Sequence, residues 1–288
     1  MTEYVYPASV EETVQILAKY NDSALVIAGG TDVMPDLREG KISPRCLVDI
    51  TRIPGLDTIE ISDSFVTVGA AVTFADLQKN LFLRQHVHAL VEAAGCVGAA
   101  SIQNAATWVG NIMQAMPAAD GAVVALALEA EARVVDSQGA RWQPVDSSFQ
   151  GPGVSTIDSS RQVVSHLRFP RPNIRTGTAW RRVGRRPALV LPILNCAVKL
   201  EITPQGNRAT LALGPVAPRP QRMRKAEALL NENPLTDEII RQAANLAQEE
   251  ANPRDSVMRA SREYRLQLIP TLVSEALHQA ARRATAES

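Results

Sequence analysis

The feature that most narrows the fold is a short apolar run, Leu25-Val26-Ile27-Ala28, that ends directly on Gly29-Gly30, with Thr31, Asp32 and Val33 behind it. Its β-branched members suit a buried strand, and a strand that meets two glycines can turn with positive φ without steric cost. Such a turn directs successive N–H groups into one concavity, where no side chain blocks the approach of phosphate oxygens. Thr31 adds a hydroxyl donor. A lone glycine pair is more often just a tight strand-to-helix turn, so this segment by itself leaves both readings open.

A second segment, Asn104 to Asp120, tips the balance toward a ligand. It is poor in charge but rich in short hydrogen-bonding side chains, namely Asn104, Thr107, Asn111, Gln114 and Asp120, with Gly110 among them. Loops of this composition usually bind something. Asp120 stands just ahead of the apolar run Gly121 to Leu128, where it can cap a helix N-terminus; the competing role is a carboxylate that accepts hydrogen bonds from sugar hydroxyls. Together the two segments read as a divided cradle for a diphosphate-bearing cofactor.

These residues resemble the FAD-binding medium subunits of the molybdenum hydroxylases, the xanthine dehydrogenase and carbon monoxide dehydrogenase family. That family's first flavin motif is similar to Ala28-Gly29-Gly30-Thr31-Asp32. Its second, A-T-x-G-G-N followed by P-x-x-D, is similar to Ala106-Thr107-Trp108-Val109-Gly110-Asn111 with Pro117 and Asp120. Two more family signatures resemble Gly214 to Pro220 with Arg222 and Glu227, and Arg259 to Arg265, so the likeness spans essentially the whole chain. The resemblance implies an α+β fold: a two-lobed FAD-binding domain of the PCMH/vanillyl-alcohol-oxidase type over 1–172, with lobes of about 1–55 and 56–172. A smaller α+β C-terminal domain of the CO-dehydrogenase flavoprotein type, a short antiparallel sheet plus helices, would follow over 173–288.

The resemblance also implies a site and a reaction. The flavin would be held by Val26, Ile27, Ala28, Gly29, Gly30, Thr31, Asp32, Val33, Val97, Ala106, Thr107, Val109, Gly110, Asn111 and Asp120. Val164 would lie near the ring, and Arg181 would reach it from the C-terminal domain. The chain would be the electron-exit subunit of a heterotrimer. A large molybdopterin subunit and a small subunit with [2Fe–2S] clusters would be its partners, in a possible dimer of heterotrimers, and an external acceptor such as NAD⁺ would receive the electrons. Two other readings are a flavin-free docking subunit of the same complex and a stand-alone flavin oxidoreductase.

Four departures from the family pattern fall inside the expected site. Val109 stands where the family has glycine, and a β-branched side chain at positive φ would need a different local path. Trp108 replaces a smaller aliphatic residue, either packing under the flavin or forming part of the core. Gln103 and Met116 stand where arginine and serine are usual. These changes motivate the flavin-free reading, whereas the retained Gly29, Gly30, Thr31, Gly110, Asn111 and Asp120 favour a bound flavin.

The rest of the sequence excludes competing chemistries. The 288 residues carry 30 Lys plus Arg and 30 Asp plus Glu, a balance that argues against a nucleic-acid or anionic-membrane binder. No stretch has the length of a membrane span, Met1 to Tyr4 begin no signal or transit segment, and a cytoplasmic location is the default expectation. Cys46, Cys96 and Cys196 are widely spaced in apolar surroundings and read as small buried hydrophobes, so an iron–sulfur cluster belongs to a partner. His86 and His88, two apart on an expected helix, point to different faces and make no metal pair. No catalytic residue and no metal ligand is assigned to this chain.

Local signals set out the elements. Ser9-Val10-Glu11-Glu12 is a capping box for a helix ending near Asn21, Cys46 to Ile50 is a second strand, and Ile53-Pro54-Gly55 marks a lobe boundary. Hairpins are expected around Ser62-Asp63-Ser64 and Ser137-Gln138-Gly139, a helix opening at Thr73 with Asp76, and a strand from Val163 stopped by Pro170. Past the linker Pro170 to Asn173, strands give way to helices. The arginine-dense stretch from Arg168 to Arg186 reads as a solvated rim or as interdomain ion pairs.

Overall fold

The structure, a computed structural model, describes residues 2–186, 189–257 and 259–286; Met1, read above with the N-terminus, lies outside them. The first lobe is a three-stranded parallel sheet in the order β1 (Glu3–Val5), β3 (Cys46–Asp49), β2 (Ala24–Ile27), with α1 (Val10–Tyr20) between β1 and β2 and α2 (Val33–Arg38) after β2. The Ser9 hydroxyl accepts the Glu12 N–H at 3.1 Å, while the Glu12 carboxylate reaches back to the Ala8 N–H, one residue earlier than a strict capping box. Leu17, Ala24, Cys46 and Val48 form this lobe's small core.

The second lobe begins with β4 (Ile59–Ile61) and β5 (Phe65–Gly69), a hairpin whose turn is held by Ser62. Six helices follow: α3 (Phe74–Lys79), α4 (Leu81–His86), α5 (His88–Cys96), α6 (Ala100–Gln103), α7 (Trp108–Met113) and α8 (Asp120–Ala127). Thr73 and Asp76 make the reciprocal box that opens α3. His86 and His88 are on different helices, because Val87 at φ −129° and ψ 54° breaks the chain between them. The chain then returns through β6 (Glu131–Asp136), β7 (Gly139–Pro144), the small ribbon β8 (Phe149–Gly151) and β9 (Val154–Ser155), and β10 (Val163–Pro170). The resulting antiparallel sheet has the order β4-β5-β10-β6-β7, and Asp22 is clamped by two bonds from Arg161 that tie the first lobe to the loop before β10.

The C-terminal part is a four-stranded antiparallel sheet, β11 (Thr176–Val183), β12 (Leu194–Thr203), β13 (Gly206–Gly214) and β14 (Gln221–Arg222). It is backed by α9 (Arg224–Glu232), α10 (Asp237–Glu250) and α11 (Arg262–Thr285). Gly177 lets β11 lie against α11, since a Cβ there would meet the Ala280 carbonyl oxygen at 1.9 Å. Every residue of α8 is buried and, Asp120 apart, none carries a polar side chain: it packs against the second lobe and, with Trp180, Ala197 and Ala212, against the C-terminal sheet. No helix among the described residues is long and apolar enough to cross a membrane.

Candidate functional site

The two glycine segments, about 75 residues apart, touch. A Cβ on Gly29 would stand 1.9 Å from the Ala105 carbonyl oxygen and 2.9 Å from the Ala106 Cα, so only glycine permits this main-chain contact. The expectation of a left-handed turn at both glycines holds for Gly30 alone, at φ +66°; Gly29 is needed for closeness instead. The N–H groups of Gly29, Gly30, Thr31 and Asp32 have no backbone acceptor among the described residues. The second segment is pinned from its other side, where the Phe74 N–H donates to the Ala106 carbonyl at 3.0 Å and Thr107 bridges to Thr73.

Thr107 caps α7 by accepting the Gly110 N–H at 3.1 Å, which places Val109 inside the first helical turn. Its backbone there has no positive φ, so valine fits without the detour expected from the sequence. Trp108 is fully buried, donates its indole N–H to the Gly121 carbonyl at 2.9 Å and packs edge-on against Phe169. Of the two roles weighed for it, the structure shows the core one. Gln103 bonds Gln78 and the Gly95 carbonyl, and Met116 is partly exposed near Gly153.

Between the segments lies a cleft of about 650 Å³, a volume in the usual range for bound small molecules. Of the residues expected at the site, all line this cleft except Asp120 and Arg181. Val97 comes from the end of α5, Val164 from β10, and the rest from the two glycine segments. Asn111 lines it too, but its Oδ1 is buried away from the cleft, where a Cβ on Gly121 would meet it at 2.5 Å, and it has no hydrogen-bond partner among the described residues. Among the described lining residues none is lysine or arginine, so an anion here would be met by main-chain N–H groups and hydroxyls. The sequence reading missed a third wall, contributed by Gly153, Ser155, Ile157, Ser159 and Gln162. Its polar, nearly uncharged run is the same signal that marked Asn104 to Asp120. The Val26 N–H donates to the Ser159 carbonyl at 3.3 Å and holds this wall to the first.

The two exceptions have other partners. Asp120 caps nothing: α8 has Ala119 at its N-cap without a side-chain bond. It is 6% exposed, and both carboxylate oxygens face the C-terminal domain, accepting from Asn195 Nδ2 at 2.5 Å and lying 3.5 Å from Arg182 Nη1. Burial pushes its carboxyl up to about 6, against the opposing pull of Asn195 and Arg182. Arg181 lies 3.6 Å from Glu92, in a separate surface depression shared with α11 residues such as His278 and Arg282. Both guanidiniums reach α5 of the first domain, but it is Arg182 that bonds its C-terminal end, at the Cys96 carbonyl 3.2 Å away and next to the cleft residue Val97.

Comparison with known proteins gives the same picture over the whole chain. Residues 1–172 match the FAD-binding domain of molybdopterin dehydrogenases, and residues 179–280 match the CO dehydrogenase flavoprotein C-terminal domain. The xanthine dehydrogenase FAD-binding subunit of Escherichia coli O157:H7 is 30% identical over 280 residues, 96% of this chain and 95% of the relative. Subunit alpha of the 6-hydroxypseudooxynicotine dehydrogenase complex of Paenarthrobacter nicotinovorans is 32% identical over 284 residues, covering 98% and 95%. A solved carbon monoxide dehydrogenase from Hydrogenophaga pseudoflava superposes with a TM-score of 0.91 at 28% identity, covering 98% of both chains. With a matching FAD-binding domain over more than half its length, the chain belongs to the FAD-binding subunits of the molybdenum hydroxylase family.

Proposed function

We propose that FAD lies in the cleft between the two glycine segments and that this subunit passes electrons from [2Fe–2S] clusters on a small partner to an external acceptor such as NAD⁺. A large molybdopterin subunit would supply those electrons, in a cytoplasmic heterotrimer. The proposed division between the flavin-binding and C-terminal domains falls at 172–173. The observation that carries this reading is the main-chain contact of Gly29 with Ala105, which closes the two segments around one cavity.

The residues fit the cofactor. Open N–H groups at Gly29 to Asp32 and the Thr31 hydroxyl would take the diphosphate, with no side chain at Gly29 or Gly30 in the way. Val97, Val109 and Val164 provide apolar surface for ring packing and exclude water. When bound, FAD supplies the two-electron to one-electron conversion that links the clusters to the acceptor; the chain's own residues bind, orient and shield it.

The test is direct. The purified complex is expected to release yellow flavin on denaturation and, once charged with a reducing substrate, to reduce NAD⁺ or an artificial acceptor. A colourless supernatant contradicts the cofactor assignment, and flavin release without any acceptor reduction contradicts the electron-exit role.

A further inference from the structure

We propose, resting on the flavin reading above, that Arg182 is a positioning residue: from the C-terminal domain it fixes the Cys96–Val97 wall of the cleft without itself lining that cleft. Its guanidinium is 8% exposed and joins three segments. Nη1 donates to the Cys96 carbonyl at 3.2 Å and faces the Asp120 carboxylate at 3.5 Å, and Nη2 donates to the Val190 carbonyl at 2.7 Å. Asp120 is in turn held by Asn195, and Gly214 lets β13 approach closely enough for this, since a Cβ there would meet the Pro117 carbonyl at 2.5 Å and Asn195 Oδ1 at 2.7 Å.

The wall that Arg182 reaches is weakly held by its own helix. Val97 follows the last turn of α5 in extended conformation, its N–H making a long 3.4 Å bond to Ala94, and Gly98 then turns at φ +54°. A carbonyl in such a segment is set in place by whatever donates to it. The planar fork of arginine is well matched to this role, because one group bonds two carbonyls at fixed angles while its charge offsets a buried carboxylate. Lysine in its place would keep the charge and lose the fork.

Two roles must be separated, namely holding the wall and merely neutralising Asp120. Flavin content of the wild-type subunit, measured first, tests the cofactor reading by itself. Arg182→Met is expected to weaken flavin binding at least tenfold, to speed amide hydrogen exchange at residues 97–99 and to lower Tm. The double variant Asp120→Asn with Arg182→Met removes the carboxylate left unpaired; it is expected to recover Tm while flavin affinity and exchange at 97–99 stay at the single-variant values. Arg182→Lys serves if the methionine variant does not fold, with the same loss of affinity and protection expected at nearly wild-type Tm. The proposal is overturned if the double variant regains affinity and protection together with Tm, or if either single variant matches the wild type in both. The exchange readout decides the point even in protein without flavin.

Discussion

The two ends of α8 dock the C-terminal domain with the same chemistry and opposite balance. At the N-terminal end one buried carboxylate, Asp120, meets one amide and one guanidinium, and burial wins: its carboxyl rises to about 6. Just past the C-terminal end, burial likewise opposes ionisation of Glu129, but three cations overcome it. Lys199 at 2.6 Å, Arg208 at 3.2 Å and Arg222 at 3.3 Å hold that carboxyl down at about 2. Fewer cations and deeper burial act together at Asp120, whose side chain is 7% exposed against 24% for Glu129, and leave its junction the less firmly ionised of the two. The softer junction is the one beside the cleft proposed for the flavin, and the firmer one carries the Arg222–Glu227 pair of the C-terminal signature.

The largest expected effect is at the firm end. Glu129→Gln leaves three cations facing one another, one of them on the nearly buried Lys199, and is expected to cost about 3 kcal/mol in urea unfolding at pH 7. A loss under about 1 kcal/mol would reduce this cluster to a solvated rim. Asp120→Asn should cost less, at most about 1 kcal/mol at pH 7, because ionising the buried carboxylate offsets most of what its pair contributes there. A loss larger than that of Glu129→Gln would invert the comparison.

Dependence on pH sharpens it further, because the two carboxylates act with opposite sign. Asp120 titrates higher in the folded chain than its ordinary 3.8, so its contribution is fully present below about pH 4 and is lost as pH rises through about 6. Glu129 titrates below its ordinary 4.5, so its contribution is present above that value and is lost as pH falls toward about 2. Wild-type stability measured against Asp120→Asn should thus fall between pH 4 and pH 7, and measured against Glu129→Gln it should fall on acidification. A flat difference in either case removes that carboxylate from the account of docking. The smallest effect belongs to the exposed Arg208, whose truncation to alanine should cost at most about 1 kcal/mol and less in high salt.

What the sequence made legible was local. The Ser9 and Thr73 caps, the hairpin turns and the strand ended by Pro170 depend on neighbours a few residues away, and the structure contains them. The cleft was legible too, because strand-glycine and glycine-asparagine patterns report the main chain's need for space. The partners of Asp120 were not, since Asn195 and Arg182 are brought to it only by docking of the C-terminal sheet. Arg181 and Arg182 differ by one residue of strand register, which sends their side chains to opposite faces and is invisible in an arginine-rich run. Val109 looked strained because a motif position was read as a turn, whereas the Thr107 cap makes it helical.

The most direct test is the flavin content of wild type and Gly29→Ala, purified side by side and compared as moles of FAD released per mole of chain. Wild type should carry it in equimolar amount. The alanine protein, with its Cβ driven against the Ala105 carbonyl, should carry little while its C-terminal domain still unfolds cooperatively. Equal flavin in both proteins, or none in the wild type, would contradict a cofactor held where the two glycine segments meet.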